Sequence, residues 1–136
     1  MRVTLDTNVY ISGFEFRGQS WQLLHMAIDG EIEVAVSEPI VKETLRVLRE
    51  KFHWDGYRIH DARQQILQLA RLVVPLQTLD VVRDDPDDNR IVECAVEAGS
   101  QYIVTKDKDL LRLKSYGGIQ MIRPADFLNR KQSHGQ

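Results

Sequence analysis

Asp6 directly follows the short apolar run Val3-Thr4-Leu5, and Asp107 follows Tyr102-Ile103-Val104 by way of Thr105-Lys106. Each run reads as a buried strand, so two strands end on an acid. A third acidic group, Asp84-Asp85-Pro86-Asp87-Asp88, stands where a loop enters a helix beginning near Asn89. Glu43 is a fourth candidate. On a helical wheel it neighbours Ile40 and Val47, on the flank of a buried stripe, and from there it can look toward a sheet edge. Taken singly, an aspartate at a strand end is often a turn residue or a helix cap, and a mid-helix glutamate is usually solvated. Jointly they differ, because like charges gathered at one edge repel unless a cation neutralises them. Carboxylate oxygens are hard ligands that select Mg²⁺ or Mn²⁺. Two such ions close together activate a water and stabilise the leaving oxygen of a phosphodiester.

Other chemistries lack their parts. There is no Gly-rich phosphate loop and no Gly-x-Ser-x-Gly elbow. His25, His53, His60 and His134 are scattered without metal-ligand spacing to cysteine, and the single Cys94 lies beside the apolar face of its helix. Phe14, Phe16, Trp54 and Tyr57 are able to stack on bases, but such residues more often serve as core or interface.

The elements that must position the acids follow from periodicity. After the first strand, residues 13–19 read as loop, and Ser20 is placed to cap a helix carrying Trp21, Leu24 and Ile28 that stops at Gly30. A strand over 32–36 precedes a helix capped by Ser37, with Pro39 in its first turn and a stripe of Val41, Leu45, Leu48 and Phe52. Residues 61–73 read as a further helix, residues 90–98 as one ended by Gly99, and residues 110–113 as a short one. A fourth strand falls at 119–122, and a last helix starts at Pro124. Strands that are continuous apolar runs, alternating with helices, indicate an α/β fold with a parallel sheet covered on both faces. Ligands bind such sheets beyond the carboxyl ends of the strands.

At 136 residues the chain suits one domain, expected over 1–130, with a frayed tail at 131–136. One cysteine excludes an internal disulfide and suits a reducing cytoplasm. No secretory leader and no membrane-spanning run is expected. The net charge of −2 argues against a simple electrostatic binder of nucleic acid, but charge is unevenly placed. Residues 80–88 hold five aspartates against one arginine, whereas bases gather at Arg46-Arg49-Lys51 and from Lys106 through Lys108, Arg112 and Lys114. An acidic patch with basic surroundings is what a metal site acting on a polyanion needs; solvated charged faces are the ordinary alternative.

Leu-Asp-Thr-Asn-Val at 5–9, Ser-Glu-Pro-Ile-Val-Lys-Glu at 37–43, Asp-Pro-Asp-Asp-Asn at 85–89 and Val-Thr-Lys-Asp-Lys-Asp-Leu-Leu at 104–111 resemble the motifs of PIN domains, in the family's order. The chain is most similar to toxins of toxin–antitoxin pairs of the VapC type. The resemblance implies a three-layer fold with a central parallel sheet of four to five strands and helices on both faces. It also implies an endoribonuclease dependent on Mg²⁺ or Mn²⁺, forming a homodimer and inhibited by a small antitoxin protein. Asp6, Glu43, Asp88 and Asp107 match the family's catalytic and metal-binding acids. Asn8 and Thr105 match supporting polar positions, with Asp109 as a further supporting acid beside Asp107. Lys106, Lys108 and Arg112 are candidates to guide the RNA backbone. Two other classes stay open: a Mg²⁺-dependent phosphohydrolase, which usually needs a second acid where this chain has Asn8, and a non-catalytic interaction module whose acids serve for docking.

Overall fold

The structure, a computed structural model, describes residues 1–134, with side chains characterised through Lys131. Six strands form one sheet: β1 (Arg2–Leu5), β2 (Glu33–Val36), β3 (Ala70–Leu72), β4 (Tyr102–Val104), β5 (Ser115–Tyr116) and β6 (Ile119–Ile122). Their order is β3-β2-β1-β4-β6-β5, and every pairing is parallel except β5 with β6. The helices are α1 (Thr7–Glu15), α2 (Gln19–Ile28), α3 (Glu38–Glu50), α4 (Gly56–Leu69), α5 (Asp88–Ala98), α6 (Lys108–Leu113) and α7 (Pro124–His134). The chain runs outward from β1 through β2 to β3 and returns through α5 to β4; parallel crossovers are right-handed as a rule, which sets α5 on the face opposite the helices of the outward run. Accordingly α1 packs on α2 and α3, while α5 packs on β1, β2 and β4. The central strands are apolar throughout because both faces are covered, and Val3, Leu5, Val36, Ile103 and Val104 are wholly buried. Cys94 is buried in the same core.

The sheet has six strands, where four to five were expected, because β3 and β5 escape local reading. The apolar positions Ile66, Leu69, Ala70 and Val73 fit a helix, yet α4 stops at Leu69 and Ala70 turns extended to pair with Val34 of β2. A three-residue edge strand owes its existence to a partner distant in sequence. The β5–β6 hairpin turns at Gly117-Gly118, both at positive φ, which is the backbone a tight two-residue turn requires.

Three helices also differ from expectation. Residues 13–15 belong to α1, which starts directly after β1 because Asp6 caps it, its carboxylate accepting from Thr7 N at 2.7 Å. Gly13 sits inside this helix because the Leu24 side chain of α2 occupies the space a Cβ would need. Helix α2 begins at Gln19 without a side-chain cap, and Ser20 is buried in its first turn. Helix α4 begins at Gly56, where the Asp55 carboxylate accepts from Arg58 N at 2.9 Å. Helix α7 runs from Pro124 through His134, and residues 135–136 of the expected tail lie outside the described residues.

Candidate metal centre

The strand order reverses between β1 and β4, since the chain runs out from β1 to β2 and β3 and returns on the other side of β1. Connections diverge at such a switch point and leave a crevice beyond the strand ends. Leu5 and Val104 are register partners, so Asp6 and Thr105 leave the sheet side by side. Thr105 Oγ1 donates to Asp6 Oδ2 at 2.8 Å and accepts from Asp107 N at 2.9 Å. One buried hydroxyl thereby orients the acids of two strand ends. Asp107 is the N-cap of α6: its Oδ1 accepts from Asp109 N at 2.8 Å and Leu110 N at 3.3 Å. That cap uses one carboxylate oxygen and leaves the other for the crevice.

Asp88 arrives from the opposite direction, as the first residue of α5, and is only 6% exposed. Asn89 holds it there. The Asn89 amide oxygen accepts from Val81 N and Val82 N at 2.8 and 2.9 Å, and its amide nitrogen donates to the carbonyls of Val82 and Pro86 at 3.1 Å. The acidic loop is thus stapled to the start of α5. Asn89→Ala removes all four bonds and strands buried backbone groups, so it is expected to lower unfolding free energy by about 2–4 kcal/mol. A urea titration with an unchanged midpoint would contradict this role for Asn89.

Asp6, Glu43, Asp88 and Asp107 line one cleft of about 320 Å³, together with Asn8, Asp85 and Asp87. Asp85, Asp88 and Asp107 of this cleft, with Asp109 just outside its lining, offer ligand oxygens within 4.8 Å of one another. Asp6 stands beside this quartet. Glu43 stands apart from it, gripped by Arg46 at 2.6 Å, which also holds Glu50 at 2.7 Å. Asp85 was passed over in sequence because nothing local separates it from its aspartate neighbours. Lys106, Lys108 and Arg112 do not line the cleft; Arg112 is turned toward Asp84 at 3.0 Å and Asp109 at 3.4 Å. The cations that do line it are Arg46, Lys51 and Arg90. Two of these fall in a basic run visible in the sequence, but only the fold sets that run against the acids. A larger cavity, of about 780 Å³, runs along β2 and β3 with Glu33 and Glu97 as its acids, and among the described residues no metal-binding group of acids lies there.

The electrostatics are those of crowded, dehydrated anions. Burial first, then the closeness of Asp107 and the charges of Asp6 and Asp85, push the Asp88 carboxyl up to about 9. Burial also raises Asp6 to about 6, against the opposing hydrogen bonds from Thr105 and Thr7. Asp85 is raised by burial and by Asp107. Asp88 Oδ2 is buried and has no hydrogen-bond donor. Two things satisfy such an oxygen: a proton shared with Asp107, or a cation. The candidate ligand atoms grouped with it, from Asp85, Asp107 and Asp109, are all carboxylate oxygens, the set that hard divalent ions prefer.

An open, mostly parallel α/β sheet here carries a carboxylate cluster able to hold a metal ion at its switch point. A family model of the PIN domain matches residues 2–109, and the chain belongs to that family. PIN domains are typically metal-dependent nucleases. No curated protein matches the chain. Among the described residues no helix is long and apolar enough to cross a membrane.

Proposed function

We propose that this protein is an endoribonuclease dependent on Mg²⁺ or Mn²⁺ and the toxin of a toxin–antitoxin pair. The observation that carries the metal-dependent reading is the buried, donorless Asp88 Oδ2 facing Asp107 in a cleft that Asp6 also lines. Asp88 and Asp107 hold the principal ion with Asp6 beside them, and Asp85 completes the oxygen set. Glu43, which Arg46 pairs with here, would help hold that ion or a second one. A divalent ion bound there supplies positive charge for the scissile phosphate and activates a water. Thr105 keeps Asp6 and Asp107 aimed, and Asn89 fixes the approach of Asp88. Incubation with a mixed RNA pool and Mn²⁺, followed by mapping of cut ends, tests the activity; cleavage that persists in chelator would overturn it.

The choice between Asp107 and Asp109 is separable. Asp107 bridges Thr105 and the first turn of α6, whereas Asp109 sits in that turn beside Arg112. Asp107→Asn is therefore expected to lose cleavage at saturating Mn²⁺, and Asp109→Asn to lose roughly 10- to 100-fold at most, as partners behind direct ligands do. The reverse order of losses would assign the ion to Asp109.

The toxin role, a homodimer and a small antitoxin that presents an Arg or Lys to the acids rest on resemblance to the VapC type. Co-purification from the native host tests them, and a preparation without a stoichiometric small partner would count against them.

A further inference from the structure

Arg90 is the third residue of α5, in the turn that Asp88 opens, and it lines the cleft. A cation gains nothing from the dipole at a helix start, and side chains in a helix lean toward its N-terminus. That lean would carry the guanidinium toward Asp87, which stands one turn ahead of Arg90 and lines the same cleft. It runs the other way. Arg90 Nη2 donates to Glu93 Oε2 at 2.7 Å, one turn further along α5, and to the Leu79 carbonyl at 3.4 Å. Among the described residues Arg90 forms no ion pair with a cleft acid, whereas Arg46 of α3 grips Glu43. Only Nη2 is engaged there, and Nε is buried without an acceptor. The guanidinium therefore depends on one nitrogen and chiefly on one acid.

That acid is buried, at 7% exposure, and its Oε2 also accepts from Leu79 N at 2.7 Å. Burying a carboxylate is costly, and the extended segment beside α5 does not need its charge. Asn89 and Glu97, four residues to either side on the same face of α5, fasten that segment at Val82 N (2.9 Å) and Leu76 N (3.0 Å). A neutral glutamine at position 93 would still accept from Leu79. What requires a charge there is Arg90. The cleft offers the guanidinium a different partner, because its crowded carboxylates, the donorless Asp88 Oδ2 among them, attract any cation within reach. A guanidinium drawn into them meets the same oxygens that a divalent ion needs. We propose that Glu93 is a positioning residue for the metal site: it holds the Arg90 guanidinium out of the carboxylate cluster, so that this internal cation does not displace the metal. This rests on the metal-dependent reading and adds to it a residue that touches neither ion nor substrate.

Calorimetric titration with Mn²⁺ alone, without RNA, compares the native protein with Glu93→Gln, Arg90→Gln and the double variant. Glu93→Gln is expected to bind Mn²⁺ about tenfold more weakly, as loss of a group that supports a metal site from behind does. Arg90→Gln should bind at least as tightly as the native protein. The double variant should recover to within about twofold of the native affinity, because the competing cation is gone. A residue that served only the fold would show no such recovery. Melting curves in chelator check that each variant folds. If Glu93→Gln does not, Glu93→Asp, which keeps the charge but draws it back by a CH₂ group, enters the same cycle with Arg90→Gln. Native affinity in the Glu93 variant, weakened binding by Arg90→Gln, or a double variant as weak as the Glu93 variant would each overturn the proposal while leaving the metal site standing. A native protein that takes up no Mn²⁺ would overturn both.

Discussion

Asp88→Asn is expected to reduce Mn²⁺-dependent RNA cleavage by more than about a hundredfold while raising the melting temperature of the metal-free protein. Both effects have one cause. Asp88 is the most strongly perturbed acid of the cleft, held up to about 9 by burial and by Asp107, Asp6 and Asp85. At neutral pH Asp88 must take up a proton to be buried among these acids, a cost that the neutral amide escapes, and the amide also donates to the neighbouring carboxylates. The same amide is a poor ligand for a hard cation, and loss of a direct ligand costs more than the 10- to 100-fold typical of its supporting groups (about 1.4–2.7 kcal/mol). Asp6→Asn should also abolish cleavage, but with a smaller gain in stability, because Asp6 already receives hydrogen bonds from Thr7 and Thr105. Initial rates on end-labelled RNA, with melting curves in chelator, decide the matter. Full activity in either variant would remove these acids from the mechanism.

Stability and metal affinity should depend on pH in opposite senses. The folded-state values of Asp88, about 9, and Asp6, about 6, both lie above the ordinary aspartate value of 3.8. The folded protein therefore binds more protons than the unfolded chain from about pH 4 upward, and its stability falls as pH rises through 6 and then toward 9. A divalent ion takes the place of the Asp88 proton, so its affinity is expected to rise about tenfold per pH unit between roughly pH 6 and 9. Melting temperatures in chelator should decline across that range, and added Mn²⁺ should restore them most at the alkaline end. A melting temperature indifferent to Mn²⁺ at every pH would mean that the acids form a surface and not a metal site.

Much of the parallel sheet was legible because its central strands are buried on both faces. Val3-Thr4-Leu5, residues 32–36 and Tyr102-Ile103-Val104 must then be apolar runs, which stand out without any knowledge of pairing. Edge strands have no such requirement. In β3, Arg71 and Leu72 are exposed, so no pattern sets the strand apart from the end of α4. Helix α1 was missed for a different reason. Its signals, an aspartate cap and a Val-Tyr-Ile core, overlap the end of β1, while Gly13 and the residues after it read as loop.

The acids of the cleft divide the same way. Asp6 and Asp107 could be picked from sequence because each stands at an element boundary, where the backbone fixes where a side chain begins; the same reading gave Asp84 to Asp88 only as a group, from which the PIN resemblance singled out Asp88. Their meeting follows once the sheet is parallel, since both strand ends then lie on one edge. What local sequence could not contain was distance between elements. Whether Asp85 or its neighbour Asp84 turns inward depends on the staple made by Asn89, and Asp84 instead meets Arg112 at the surface. Whether Arg46 or Lys108 faces the acids depends on which helix packs beside the switch point. The sequence alone determined the chemical character of this protein, an oxygen-rich site at the ends of parallel strands, because residue type and strand polarity are local properties. Tertiary structure alone decided which carboxylates crowd together and which cations oppose them, because charge interacts through space and not along the chain.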